Sequence, residues 1–121
     1  MLLNWLDVRL ARLGLALALI AIFLLAVIPQ QQVPASSGWD KIDHWLAFFT
    51  LALLADRAAG ARWFWPRAVP LLLLYGVAIE VAQHFTPDRH AELLDVVADS
   101  MGILLYCAVR QLSMMRLPRP D

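Results

Sequence analysis

The sequence predicts an all-α protein: a four-helix transmembrane bundle with both termini on the cytoplasmic side (N-in/C-in). Three observations predict it. Hydrophobic residues make up 61% of the 121-residue chain and charged residues 17%, against about 45–50% and about 25% in ordinary soluble domains. Four apolar segments approach the roughly 20 residues that a helix needs to cross the hydrocarbon core of a bilayer. Lysine and arginine fall mostly in alternate connections, as retention of basic residues on the cytoplasmic face requires. A soluble domain this small has too much surface for its volume to hide so much apolar area, so the excess faces lipid. A single domain over 1–121 is expected.

The first helix is expected at about 10–28, because Leu13 to Ile28 carries no charge and Pro29 ends the run. Arg9 and Arg12 before it also fit the front of a signal peptide, with Val33-Pro34-Ala35 as the cleavage site. The run is long for that role and Ala35 lies well beyond its end, so the helix is expected to be retained. The second helix is expected at about 40–55, where only about eleven residues are continuously apolar, and a re-entrant segment is the alternative. The third is expected at about 63–82, with Arg67 and Pro70 in its first turns. The fourth, at about 93–110, carries Asp95 and Asp99 near its start. Pro29 to Gly38 reads as a polar loop, and Pro118 and Pro120 stop any helix beyond Leu117.

Orientation follows from the basic residues. Arg9, Arg12, Arg57, Arg62, Arg67, Arg110, Arg116 and Arg119 lie at one end of the expected bundle, and only Lys41 and Arg89 at the other. Trp63 and Trp65 are placed at the inner interface, and Trp39 and Trp45 at the outer one. The expected location is therefore the inner (cytoplasmic) membrane of a bacterium, crossed several times. Ten basic and ten acidic residues cancel, so net charge says nothing about nucleic acid, and no nucleic-acid partner is expected because no basic patch is interleaved with aromatics. Cys107, alone in an apolar run, reads as a small buried hydrophobe.

Ionisable groups inside a bilayer are costly, so their placement carries the functional signal. Asp40 and His44 are four apart, with Lys41 and Asp43 beside them. Glu80, Gln83 and His84 end the third segment. Asp95, Asp99 and Gly102 stand at i, i+4 and i+7, one stripe of a helix. Arg89 and Asp88 lie in the loop between the last two helices. The arginine pattern places all these groups toward the outer face, with Asp99 deepest, and nothing comparable is expected at the cytoplasmic end. Two readings stay open: a binding cluster, or buried ion pairs that only fix helix packing. The histidines and acids match no zinc-site spacing, so neither a metal nor a cofactor is expected.

These residues resemble the VanZ-like family of small bacterial membrane proteins. Its pattern of Asp-Lys-x-x-His, Glu-x-x-Gln, Arg and Asp-x-x-x-Asn-x-x-Gly reads here as Asp40-Lys41-Ile42-Asp43-His44, Glu80-Val81-Ala82-Gln83, Arg89, and Asp95 through Asp99 to Gly102. Phe48 stands for an aromatic four after the histidine. The resemblance covers about 40–106. Two positions depart from it: the usual Asn is Asp99, and a second Gly four after Gly102 is Tyr106. The resemblance implies a link to the envelope and to tolerance of glycopeptide antibiotics such as teicoplanin, and it implies no particular reaction.

The function expected is a non-enzymatic one, with no catalytic residue assigned. Asp40, Lys41, His44, Glu80, Gln83, Arg89, Asp95 and Asp99 would bind the head group of an envelope lipid or lipid-linked glycan, Lys41 and Arg89 meeting phosphate and the others hydrogen-bonding sugar or water. Gly102 would serve helix packing. The expected partners are membrane lipids, a lipid-linked envelope precursor among them, with a second copy of the chain or another membrane protein beside them. An enzyme acting on a lipid head group lacks a nucleophile motif, an ion-coupled carrier would place its acids near the midplane, and a purely structural or partner-binding membrane protein is a further alternative.

Overall fold

The structure, a computed structural model, describes residues 2–29, 40–89 and 91–116, with side chains for 7–29, 41–89 and 91–115. The described residues form a bundle of four long helices and no strand: α1 (Leu2–Val27), α2 (Asp40–Ala59), α3 (Ala61–His84) and α4 (Leu93–Arg116). One end holds the C-termini of α1 and α3 and the N-termini of α2 and α4, and is called here the Arg89 end. The opposite end is the Arg110 end. The loop at 30–39, with Trp39, and the tail beyond 116, with Arg119, lie outside the described residues.

All four helices run further than the apolar segments suggest. An apolar run measures only the stretch matched to hydrocarbon, whereas backbone hydrogen bonding continues through the interface on good helix formers such as Leu, Ala, Arg and Met. α2 reaches Ala59, four residues past its expected end, and its 20 residues correspond to about 30 Å of helix. α3 carries a five-residue π turn, Phe64–Ala68, where the Val69 amide bonds to the Phe64 carbonyl five residues back. Pro66 lies within it and Pro70 two residues beyond, each removing one rung of the ladder, and the wider turn absorbs the mismatch. Gly60, at φ 87°, makes the one-residue reversal between α2 and α3, a backbone shape that side chains disfavour.

α4 packs most extensively on α2, and α1 is held chiefly by α2. Small residues bring the backbones together. A Cβ on Gly102 would lie 2.2 Å from the Trp45 carbonyl oxygen and 3.0 Å from the Phe49 nitrogen, so α4 touches the backbone of α2 directly. On α1, Gly14 faces the Leu54 side chain. The core runs through Phe48, Leu51, Phe64, Ile79 and Ile103, all nearly inaccessible. Phe64 and Phe49 meet the Tyr106 ring edge-on at 5.6 and 5.7 Å.

The distribution of polarity is inverted relative to a soluble bundle. Leu13, Leu17, Ile20, Leu71, Leu74 and Leu104 are more than half exposed, while Glu80, Gln83, Asp95 and Asp99 are buried. Three acids and an amide thus lie on inward faces beside the apolar core, while large apolar side chains cover much of the outer surface, the arrangement that lipid imposes. Two helices, Asp7–Val27 and Ala61–His84, are long and apolar enough to cross a membrane. The polar residues of α2 and α4 that lower their mean hydropathy lie in part on faces turned inward.

The Arg110 end differs from expectation. Asp56 accepts hydrogen bonds from the Tyr106 hydroxyl at 2.5 Å and from Arg110 Nε at 2.9 Å, and the Arg110 guanidinium lies 4.8 Å from the Phe64 ring. This is a closed, charge-compensated network where only topology-holding arginines were expected. Tyr106 is the position at which the sequence pattern led to expect Gly; its hydroxyl and Asp56 answer each other. Arg62 and Arg67 stack over exposed Trp63, and Arg12 donates to the Ala58 carbonyl in the last turn of α2.

Candidate functional site

Three helices bring polar side chains to the Arg89 end, one helical stripe from each. On α2 the inward stripe carries Lys41, His44 and Phe48. On α3 it carries Gly76, Ile79, Glu80 and Gln83. On α4 it carries Asp95, Asp99 and Gly102. These spacings of three and four residues place each set on one face, and packing against Phe48 and Ile79 brings the three faces together.

The rim of the cluster is formed by Lys41, Glu92 and Asp95. Lys41 Nζ lies 2.5 Å from Glu92 Oε2 and 2.7 Å from Asp95 Oδ1. Glu92, just ahead of α4, accepts the Asp95 amide on its carbonyl and donates its own amide to Glu80 Oε2 at 3.1 Å. It thereby ties the start of α4 to both α2 and α3. Sequence reasoning missed Glu92. Its position ahead of the apolar run of α4, where an acid favours the helix N-terminus, was the only signal that could have singled it out.

Deeper in the bundle, His44 Nδ1 and Asp99 Oδ1 are 2.8 Å apart, an imidazole–carboxylate hydrogen bond between α2 and α4. Asp95 Oδ2 is 3.8 Å from His44 Nε2. The second oxygen of Asp99 faces α3, where a Cβ on Gly76 would come within 2.9 Å of it; the absence of a side chain at 76 leaves room for the carboxylate. Glu80 stands one turn along α3 from Gly76. Glu80 Oε1 and Asp99 Oδ2 are buried and have no hydrogen-bond partner among the described residues. Buried carboxylate oxygens are ordinarily satisfied, so these two oxygens mark the polar centre of the site. One ligand atom each from His44, Glu80 and Asp99 lies within 4.8 Å of the others.

Of the residues singled out from sequence, Lys41, His44, Glu80, Asp95 and Asp99 come together here, and Gln83 is buried one turn beyond Glu80 on α3. Asp40 opens α2, and its side chain lies outside the described residues. Arg89 is placed elsewhere. Its Nε donates to the Ile28 carbonyl at 3.1 Å and its Nη2 to the Leu25 carbonyl at 2.6 Å, so it satisfies the C-terminal carbonyls of α1. It sits on the turn Thr86–Arg89, closed by the Arg89 amide on the Thr86 carbonyl, with Pro87 and Asp88 (φ 58°) in its middle. His84 is exposed and packs edge-on against Phe85, outside the cluster.

No curated protein and no solved structure matches the chain. A family model described as VanZ/LLP1 matches residues 19–112. The match takes in the last third of α1, all of α2 and α3 and most of α4, with every residue of the cluster. With more than half of its length matched and the stripes of α2, α3 and α4 meeting at one end of an inside-out bundle, the chain belongs to the VanZ/LLP1 family.

Proposed function

We propose that this membrane protein crosses a bacterial cytoplasmic membrane four times, with its termini and the Arg110 end in the cytoplasm. We propose further that it uses the cluster at the Arg89 end to hold the head group of an envelope lipid or lipid-linked glycan. The observation that carries this reading is the concentration of buried, acceptor-rich side chains from three helices at one end of a bundle whose outer surface is apolar. At such an end a lipid head group meets the protein at its own depth. Sugar hydroxyls and amines are donors, and they complement Glu80, Asp95 and Asp99. Lys41, half exposed at the rim and paired with Glu92 and Asp95, would meet a phosphate by exchanging one of those carboxylates for it. Tolerance of glycopeptide antibiotics would follow if the lipid held were an envelope precursor.

Native mass spectrometry of protein released from mild detergent tests the reading, comparing wild type with Glu80→Gln and Asp95→Asn. A discrete lipid adduct on the wild type, depleted in both variants while each keeps its helical circular dichroism, is the expected result. If the same lipids copurify in the same amounts with folded variants, the cluster does not bind them.

A further inference from the structure

We propose that His44, Glu80 and Asp99 form a binding site for one divalent first-row metal ion, Mn²⁺ or Zn²⁺. The inference shares Glu80 and Asp99 with the head-group reading but is argued from the geometry of the trio itself.

Four features of the trio lead there. Each ligand comes from a different helix, so a bound ion would clamp α2, α3 and α4 at one point. One nitrogen and two carboxylate oxygens already lie within 4.8 Å of one another. Around a metal with bonds of about 2.1 Å, donor atoms sit about 3–3.5 Å apart, so rotations of about 1 Å complete the set. Glu80 is 7% and Asp99 1% exposed, yet each keeps one oxygen without a hydrogen-bond partner among the described residues. Finally, a dication neutralises two carboxylates that would otherwise stand as costly charges within the bundle.

The Arg110 end supplies the contrast. There the carboxylate of Asp56 is met by the Tyr106 hydroxyl and the Arg110 guanidinium. At Glu80 and Asp99, by contrast, one oxygen of each carboxylate is met by a polar partner and the other has none among the described residues. The Glu92 amide, donating to Glu80 Oε2, orients that carboxylate, the part that outer-shell contacts play around metal ligands. The mixture of one imidazole with two carboxylates suits Mn²⁺ or Zn²⁺ better than the all-oxygen shells preferred by Ca²⁺ and Mg²⁺. Three protein ligands leave coordination positions open to water or to an oxygen of a bound molecule.

The test uses the full chain in mild detergent, treated with EDTA, desalted and then titrated with MnCl₂, with free Mn²⁺ read by electron paramagnetic resonance. ZnCl₂ is titrated in parallel against a chromophoric chelator. One equivalent per chain is expected. His44→Gln and Asp99→Asn should each weaken binding by at least about tenfold, and Asp88→Asn, in the exposed turn, should leave it unchanged. Should the variants fold poorly, pulsed resonance of the wild type decides: bound Mn²⁺ must show nitrogen coupling from one imidazole. Uptake of neither ion by the wild type overturns the proposal. Binding that persists unchanged in both folded variants, or bound Mn²⁺ without nitrogen coupling, does so too. Asp95→Asn keeps the two readings apart: Mn²⁺ uptake like that of the wild type together with an undiminished lipid adduct would count against the head-group assignment alone.

Discussion

His44 on α2 and Asp99 on α4 meet at 2.8 Å inside the bundle, joining the two most extensively packed helices through a polar contact beside an apolar core. Asp99 stands where the family pattern has Asn. An amide at this position can still pair with the imidazole and brings no charge into the interior. Asp99→Asn is therefore expected to change stability by less than about 1 kcal/mol, the scale of interhelical hydrogen bonds in membranes. His44→Ala leaves a buried carboxylate unpaired and is expected to cost about 1–3 kcal/mol. Unfolding by SDS in mixed micelles, followed by circular dichroism, measures both. Equal losses for the two variants would mean that the pair is not the stabilising contact.

Gly102 sets the distance between the same two helices. The Cβ of an alanine there would lie 2.2 Å from the Trp45 carbonyl oxygen, and a backbone atom cannot swing aside as a side chain can. Gly102→Ala must push α4 off α2, with an expected cost of at least about 1–3 kcal/mol, and it disturbs the pairing of His44 with Asp99 one turn away. Gly14→Ala offers a control. Its Cβ would meet only the flexible end of Leu54 at 3.5 Å, and stability should be nearly unchanged. Similar thermal midpoints for the two variants would contradict the backbone contact.

The same geometry shows what could be read from sequence. The stripe of Asp95, Asp99 and Gly102 was legible because residues three and four apart share a helical face whatever the rest of the fold does. The alternation of arginines between connections made the bundle itself legible. The helix ends were not, because hydrophobicity reports the apolar middle of a helix while its hydrogen bonds continue to Ala59 and Arg116. Glu92 escaped notice because its partner Lys41 is 51 residues away in sequence and no helical period connects them. The role of Arg89 was hidden for another reason: it binds backbone carbonyls, which every residue has. Tyr106 read only as a missing glycine until Asp56 appeared opposite its hydroxyl.

Arg89 should act on α1 rather than on the cluster. Its guanidinium bonds to the Leu25 and Ile28 carbonyls, and α1 has few other polar ties to the bundle. Arg89→Ala is expected to speed amide hydrogen exchange in the turns around Leu25 and Ile28 while leaving 44–55 and 95–106 protected as in the wild type. Lys keeps the charge but not the fork geometry that reaches two carbonyls, so Arg89→Lys should restore protection only in part. Accelerated exchange around His44 and Asp99 instead would put Arg89 in the polar cluster after all.

The orientation proposed for the bundle makes a prediction that is independent of the site. Arg12, Arg57, Arg62, Arg67 and Arg110 gather at one end, and basic residues near helix ends are held back from translocation. Reporter fusions within 30–38 and at Gly60 should therefore report opposite compartments, the first outside and the second in the cytoplasm. α2 lies between the two fusion points. Matching compartments would mean that α2 enters and leaves by the same face, and the polar residues of its first turns would then lie at a cytoplasmic mouth. Opposite compartments of the reverse sense would keep four crossings but turn the cluster toward the cytoplasm, where an envelope head group does not reach it. A glycine-to-arginine change at Gly60, which adds charge to the retained end, should leave the wild-type pattern intact, whereas three arginines inserted within 30–38 should disturb it. The asymmetry of that response separates an orientation set by the arginines from one imposed by helix packing.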